Sequence, residues 1–188
     1  NQEIIAWLDI KDELRPDAKQ VISQLNNQGF KTILLSGDIE SKCTAIAQEL
    51  GITEVYAEQL PQQKMDKLDE IKTHGNIAMI GDGINDAPAL AKADIGISLS
   101  DASQIAIQQS NVILLKNKLS LLPKAMYLGK HTYLTIKQNL FWAFFYNIVA
   151  IPIAAVGLLT PTWGAAIMAL SDVVLVLNSL RLRYKKIQ

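Results

Sequence analysis

The sequence predicts an α/β fold, in which a parallel sheet is followed by a two-helix membrane hairpin. Short apolar segments alternate with helical segments over residues 4–115, a pattern typical of a parallel sheet covered by helices. Segment 138–180 holds a single charged residue, Asp172. It contains two apolar stretches, 139–159 and 163–180, of about the length that a bilayer-spanning helix requires.

Six apolar or β-branched segments have strand character. They are 4–10, 31–38, 55–58, 76–83, 94–99 and 111–115. Three helical segments separate the first four strands. The first opens at Arg15–Pro16 and ends before Gly29, the second covers about 39–50, and the third follows Pro61 and runs to Gly75.

Composition excludes some classes of function. The 188 residues carry 18 Lys and Arg against 18 Asp and Glu, so the net charge of zero gives no sign of a nucleic-acid partner. A single cysteine, Cys43, excludes an internal disulfide and fits a reducing compartment. Because the chain begins at Asn1 and shows no signal peptide, we expect it to be a piece of a longer protein.

Polar residues follow two of the predicted strands. Ser36-Gly37-Asp38 and Gly81-Asp82-Gly83 both lie at carboxyl ends, where open α/β sheets bind their ligands, so we expect them to share one crevice. A hydroxyl, a carboxylate and the ammonium of Lys64 suit a phosphoryl group with Mg²⁺. Taken alone, each tripeptide is equally consistent with a simple solvated turn.

These residues lie within longer motifs. The string GDGINDAPALAKADIGISL (81–99) resembles the hinge signature of P-type ATPases, cation pumps whose phosphorylation domain has the haloacid dehalogenase fold. LLSGD (34–38) resembles their second phosphoryl motif, with Ser where Thr is usual. PQQK (61–64) is similar to the segment that carries their lysine, and KDELRPDA (11–18) to the segment that re-enters the phosphorylation domain. The resemblance implies a haloacid-dehalogenase-like parallel sheet, here a partial Rossmann-like domain.

The resemblance also implies roles for individual residues, with ATP as substrate and Mg²⁺ as cofactor. Asp82 would bind Mg²⁺, supported by Asp86. The catalytic set would hold the phosphoryl group or order its loop, and a hinge pair would lie near the nucleotide. The catalytic set is Ser36, Gly37, Asp38, Lys64 and Asn85, and the hinge pair is Asp12 and Arg15.

The phosphorylated aspartate of such pumps lies in a D-K-T-G-T motif, which this sequence lacks. Covalent catalysis cannot run without its nucleophile, so we expect this chain alone to be inactive and the missing N-terminal part of the pump to be its partner. The alternative is a non-catalytic membrane-anchored fragment, or a truncated gene product, that binds Mg²⁺ or phosphate or pairs with another pump chain. A soluble phosphatase with a tail anchor would also need the missing nucleophile.

The predicted organisation has five segments. They are a partial phosphorylation domain (1–116), a linking helix (117–137), two transmembrane helices (138–159 and 163–180) and a basic tail (181–188). Lysines and arginines flank the outer ends of the hairpin, which places both chain ends and the soluble domain in the cytoplasm. We therefore expect an integral protein of the cell membrane, in contact with lipid. A buried core hairpin is disfavoured because no amphipathic partner remains to cover it.

Polar residues occur halfway along both apolar stretches. They are Tyr146 and Asn147 in the first, and Met168, Ser171 and Asp172 in the second. Polar groups at this depth are costly and often mark an ion pathway, although hydrogen bonds between the two helices would also explain them.

Tyr-Asn before a proline, followed by Met-x-x-Ser, resembles the last two helices of the heavy-metal branch of the family, particularly the copper(I) exporters. The resemblance implies that these five residues bind the transported ion, with Cu⁺ favoured because a thioether suits a soft monovalent cation. Asp172 departs from the copper pattern, and its carboxylate favours a harder or divalent ion. The sequence therefore leaves the identity of the metal open.

Overall fold

The computed structural model describes residues 13–184. The predicted strand 4–10, Asp12 and the last four residues of the basic tail lie outside the described residues. The chain divides into two compact units, with the boundary after Pro123.

The first unit alternates strands and helices, as the sequence predicts. Its elements are α1 (Ala18–Asn27), β1 (Ile33–Leu35), α2 (Glu40–Leu50), β2 (Glu54–Tyr56), α3 (Pro61–Lys72), β3 (Ala78–Ile80), α4 (Ala87–Lys92), β4 (Ile95–Leu99), α5 (Gln104–Gln109) and β5 (Val112–Leu114). Short 3₁₀ turns occupy Ile84–Asp86 and Leu115–Asn117.

Every strand pairing in the described residues is parallel, as expected. β1 pairs with β2, placing Ile33 opposite Glu54, whereas β3, β4 and β5 form a separate three-stranded sheet. Within that sheet, Ala78 lies opposite Ile95 and Ile97 opposite Val112. We expected one sheet and find two among the described residues. Hydrophobic periodicity locates strands but does not show which strands pair, so it could not reveal this division.

The core of the first unit follows the periodicity of its elements. Helix α1 buries Ala18, Val21 and Leu25, which recur every three or four residues on one face. In the larger sheet, β4 is the middle strand, and four of its five residues are buried. A middle strand covered on both faces loses the alternation of polar and apolar residues, as in other parallel sheets.

The second unit contains most of α6 (Leu121–Ala155) and all of α7 (Pro161–Arg183). Both helices are long and apolar enough to cross a membrane. The linking segment and the first span, predicted as separate, form one continuous helix of 35 residues. The first span ends at Ala155 rather than 159, because Gly157 adopts a left-handed conformation with φ of +75°. The second begins two residues earlier than expected, with Pro161 in its first turn after the Thr160 cap.

Candidate functional site

The loop after β1 carries the first group of predicted site residues. The Ser36 N–H donates to the Tyr56 carbonyl at 2.9 Å, and the Ser36 carbonyl accepts from the Gln59 N–H at 2.9 Å. The Ser36 hydroxyl oxygen accepts from the Asp38 N–H at 3.1 Å. A Cβ added to Gly37 would lie 3.3 Å from the Gln59 carbonyl oxygen, so a glycine suits this close approach. The loop is therefore tied to the segment that leads from β2 into α3.

Lys64 lies in the first turn of α3, just beyond that segment. Its ammonium Nζ is 2.7 Å from Asp86 Oδ1, and the two side chains are only 9% and 19% exposed. Asp86 closes the 3₁₀ turn that follows β3. Since Lys64 lies in α3 and Asp86 in the turn after β3, this largely buried ion pair connects α3 to the loop that carries Asp82.

Gly81 shapes the turn that presents Asp82 and Asp86. A Cβ on Gly81 would lie 2.8 Å from the Asp86 Cβ, closer than real side chains approach. Asp82 follows directly, with its side chain 58% exposed. The absence of a side chain at Gly81 thus lets the Asp86 carboxylate fold back toward Lys64, while Asp82 faces solvent at the carboxyl end of β3.

Arg15, which precedes α1, forms an ion pair with Asp82. Its Nη2 is 3.4 Å from Asp82 Oδ2 and 3.5 Å from Asp101 Oδ2, while Nη1 donates to the Asn117 carbonyl at 3.4 Å. Sequence reasoning did not identify Asp101 or Asn117. A signal for Asp101 was present, because it follows the carboxyl end of β4 just as Asp82 follows β3.

The structure brings the predicted residues together only in part, because β1 and β3 belong to separate sheets. Lys64 contacts Asp86 and Arg15 contacts Asp82, and the two aspartates lie close in sequence after β3. Among the described residues, Ser36 makes no hydrogen bond to Lys64 or Asp82, and its connection runs through Gln59 and α3. Asn85 lies in the 3₁₀ turn between Asp82 and Asp86. Asp38 is engaged by Lys42 at 3.3 Å.

The carboxylates at this edge fit a Mg²⁺ ion only in combination with a further ligand. The described residues contain no group of three or more His, Cys, Asp and Glu side chains able to hold a metal. Mg²⁺ commonly takes one or two carboxylates and completes its coordination with water and phosphate oxygens. Exposed Asp82 is suited to that arrangement, whereas Asp86 is engaged by Lys64. The edge therefore matches a phosphate-dependent site rather than a metal cage made by the protein alone.

Charged groups elsewhere in the first unit have displaced pKa values. A hydrogen bond from the Lys31 ammonium holds the pKa of the Glu54 carboxyl below its usual value, and the Tyr56 hydroxyl adds to this effect. Hydrogen bonds from the Ile77 N–H and then from Lys72 lower the pKa of Asp94. Glu54 begins β2 and Asp94 precedes β4, so both lie at the amino ends of strands. These clusters stabilise the sheets and are not part of the candidate site.

The predicted membrane residues are only partly brought together. A groove of about 270 Å³ lies between α6 and α7, and both Tyr146 and Ser171 line it. The Asn147 amide donates to the Ala143 carbonyl of its own helix at 2.8 Å. Met168 is 59% exposed, and Asp172 is also exposed on α7. Two of the five predicted ion-binding residues therefore share one groove in this structure.

The fold and the site define a haloacid-dehalogenase-like domain, and residues 2–94 match the model of the haloacid dehalogenase-like hydrolase family. The whole chain, including its two apolar helices, is similar to heavy-metal-transporting P-type ATPases.

Three proteins illustrate this similarity. A copper-exporting P-type ATPase from Staphylococcus aureus (strain bovine RF122 / ET3-1) is 43% identical over 100% of this chain and 24% of its own length. The crystal structure of a zinc-transporting PIB-type ATPase in its E2.Pi state superposes with a TM-score of 0.87 at 34% identity, over 92% of this chain and 28% of the other. The catalytic domain of the CPx-ATPase CopB-B superposes with a TM-score of 0.56 at 36% identity, over 61% of this chain and 46% of the other. The chain spans about a quarter of the length of the curated relatives it matches.

Proposed function

We propose that this chain is the C-terminal part of an ATP-driven pump that exports a heavy-metal cation, most consistent with copper(I), through an aspartyl-phosphate intermediate. The observation that carries the proposal is the alignment of the whole chain, at 43% identity, with a copper-exporting P-type ATPase. The geometry supports it, because the hydroxyl, the ammonium and the carboxylate needed for phosphoryl chemistry follow β1, β2 and β3 in that order. This chain covers 24% of that relative, so the relative is long enough to contain the N-terminal part that the proposal requires.

In this proposal each residue at the edge has a chemical task. The Lys64 ammonium stabilises negative charge on the transferred phosphoryl group, and the Ser36 hydroxyl donates to one of its oxygens. A bound Mg²⁺ ion would neutralise phosphate charge, and Asp82 would hold it. Asp86 orients Lys64 through the contact of 2.7 Å, and Asn85 orders the turn between the two aspartates. Arg15 and Asp12 belong to the hinge near the nucleotide.

The nucleophile must come from the rest of the pump, because the chain has no D-K-T-G-T motif. We therefore expect the isolated chain to hydrolyse no ATP. The alternative function, a membrane-anchored fragment that binds Mg²⁺ or phosphate or pairs with another pump chain, shares this inactivity. The sequence of the parent gene distinguishes the two functions. A pump requires a D-K-T-G-T motif upstream of Asn1, whereas the fragment requires a start codon near Asn1.

We also propose an orientation. The hairpin crosses the cell membrane in contact with lipid, with the phosphorylation domain and both outer ends of the hairpin in the cytoplasm. Lys137 precedes the first apolar stretch, and Arg181 and Arg183 close the second helix. The short connection between the helices carries no charge, so the bias of positive residues favours this orientation.

Two residues of α7 favour different transported metals. Met168 supplies a thioether, which suits Cu⁺, whereas the Asp172 carboxylate suits a divalent cation. Export of a divalent ion such as Zn²⁺ is the second candidate, since a zinc-transporting relative superposes at a TM-score of 0.87. Asp172 is therefore the residue that the experiment must examine.

The test is ATP hydrolysis by the intact parent pump in liposomes with Cu⁺, Ag⁺, Zn²⁺ or Co²⁺, repeated with Asp172→Ser. Strong activation by Cu⁺ and Ag⁺ that survives the substitution supports the copper proposal. Activation by Zn²⁺ that Asp172→Ser abolishes supports the second candidate. A parent pump that no metal activates contradicts both.

A further inference from the structure

The interhelical hydrogen bonds of the described hairpin come from residues that the sequence motifs do not include. The Asn178 amide donates to Asn139 Oδ1 at 2.8 Å and to Gln138 Oε1 at 3.4 Å. The Asn139 amide donates to the Ser179 hydroxyl at 2.9 Å, and that hydroxyl donates to the Leu175 carbonyl of its own helix at 2.8 Å. We refer to Gln138, Asn139, Asn178 and Ser179 as the polar clamp.

The polar clamp lies at the end of the hairpin away from its connecting loop. The loop runs from Val156 to Thr160 and limits how far one helix slides along the other near that end. Nothing covalent holds the helices where the clamp lies. Apolar side chains alone would not fix their rotation there, because lipid offers equally good apolar contacts. Hydrogen bonds with defined partners are therefore the contacts that specify which faces of α6 and α7 meet.

The position of the clamp relates directly to the groove. Tyr146 lies seven residues after Asn139, and Ser171 lies seven residues before Asn178. Seven residues are almost two helical turns, about 10.5 Å of rise, and return to the same face. Since Asn139 and Asn178 are in direct contact, the same spacing on antiparallel helices brings Tyr146 and Ser171 to one level and one side. Both indeed line the groove.

The residues predicted to transport the ion are not themselves used to join the helices. The Asn147 amide bonds within α6, and among the described hairpin residues no hydrogen bond of Asn147 or Ser171 crosses to the other helix. We propose that the polar clamp positions the ion site: it fixes the rotation and level of α6 and α7, so that Tyr146 faces Ser171 while both stay free to meet a cation. The functional half of this inference rests on the proposed function.

The structural half can be tested with the chain itself in liposomes, by iodine-catalysed disulfide formation in a Cys43→Ala background. Ala150 and Ile167 lie eleven residues from Asn139 and Asn178, three turns along the same faces, and both line the groove. We expect cysteines at these two positions to cross-link at least fivefold faster than the pair Ile151 and Ile167, because Ile151 is exposed and does not line the groove. Equal rates for the two pairs would overturn the inference.

The clamp is then removed with the double substitution Asn139→Leu and Asn178→Leu, which keeps side-chain size and suits a membrane helix. We expect the preference for the 150–167 pair to fall at least fivefold. The matched control is Thr135→Leu, because the Thr135 hydroxyl donates to the His131 carbonyl of its own helix at 2.9 Å and joins no second helix. An unchanged preference in the double variant overturns the inference.

If the double leucine variant fails to insert into liposomes, a second variant that exchanges polar residues between the two helices tests the clamp instead. Asn139→Ser combined with Ser179→Asn returns a donor and an acceptor to both helices. A retained preference for the 150–167 pair supports the clamp, and loss of that preference in this exchange overturns it.

Measuring metal-dependent ATP hydrolysis distinguishes failure of the clamp proposal from failure of the proposed function. In the parent pump, the double leucine variant should raise the metal concentration for half-maximal ATP hydrolysis at least tenfold with a smaller change in kcat. An unchanged half-maximal concentration shows that the clamp does not position the ion site. A parent that no metal activates overturns the proposed function and leaves the cross-linking result standing.

Discussion

The ion pair between Lys64 and Asp86 offers a quantitative test of the site geometry. Lys64→Met keeps most of the side-chain volume but leaves the Asp86 carboxylate, only 19% exposed, without its partner at 2.7 Å. Removing one member of a buried ion pair costs about 3–5 kcal/mol. Because Asp86 keeps some access to water, we expect the lower end, a loss of about 3 kcal/mol in the unfolding free energy of the first unit.

The assay uses the single cysteine of the chain. Cys43 is 1% exposed, so a thiol reagent labels it only when the surrounding structure opens. A loss of about 3 kcal/mol raises the labelling rate roughly 150-fold, and a urea series identifies global opening from its slope. The matched control is Lys19→Met, at an exposed lysine in α1.

The double variant Lys64→Met with Asp86→Asn removes both charges, and we expect it to recover at least half of the lost stability. If the labelling rate of Lys64→Met stayed within threefold of the unchanged chain, the ion pair would not contribute the stability inferred from its burial.

Three further substitutions test the packing and charge of the first unit. Gly96→Ala would place a Cβ 2.5 Å from the Leu90 carbonyl oxygen, a backbone atom, so we expect a loss of about 1–3 kcal/mol in urea unfolding. Ser98→Ala should instead stabilise by about 1 kcal/mol in the same assay, because the buried Ser98 hydroxyl has no hydrogen-bond partner among the described residues. Asp94 has a lowered pKa, so its stabilisation is complete above the unfolded value of about 3.9 and is lost as the pH falls through the lower folded value. Asp94→Asn should therefore reduce the slope of stability against pH below about pH 4, and an unchanged slope would contradict this.

The sequence predicted the strand positions well because each strand is a short apolar segment followed by a turn. The two six-residue helices α4 and α5 were not predicted, since a segment of that length spans too few turns to show a clear period. The contact of Arg15 with Asp101 was also missed. Such a contact depends on how loops distant in sequence meet in the fold, which local patterns do not encode.

In the second unit, composition predicted both helices but not their ends. Gly157 ends α6 through its left-handed backbone, and Pro161 begins α7, so the connection is longer than the three residues expected. The polar clamp was not predicted either. Asn and Ser near the ends of apolar stretches are common, and only the pairing of α6 with α7 shows that these residues meet.

Before any ligand binds, the carboxyl edge holds two cations, Lys64 and Arg15, beside the carboxylates of Asp82, Asp86 and Asp101. Asp86 is neutralised by Lys64, and Asp82 lies 3.4 Å from Arg15. Mg²⁺ alone would be repelled by the two cations, and phosphate alone by the three carboxylates. Bound together, the ion and the phosphate add little net charge, and each screens the other from the like charges of the site.

We therefore predict that Mg²⁺ and phosphate bind this chain cooperatively. In calorimetric titrations, saturating inorganic phosphate should lower the Kd for Mg²⁺ at least fivefold, which corresponds to a coupling free energy of about 1 kcal/mol. Asp82→Asn should remove the coupling, because it removes the exposed carboxylate that would hold the ion. The matched control Asp69→Asn, in α3 and paired with Lys92, should retain it. Equal Mg²⁺ affinities with and without phosphate would show that the paired charges do not act on the two ligands together.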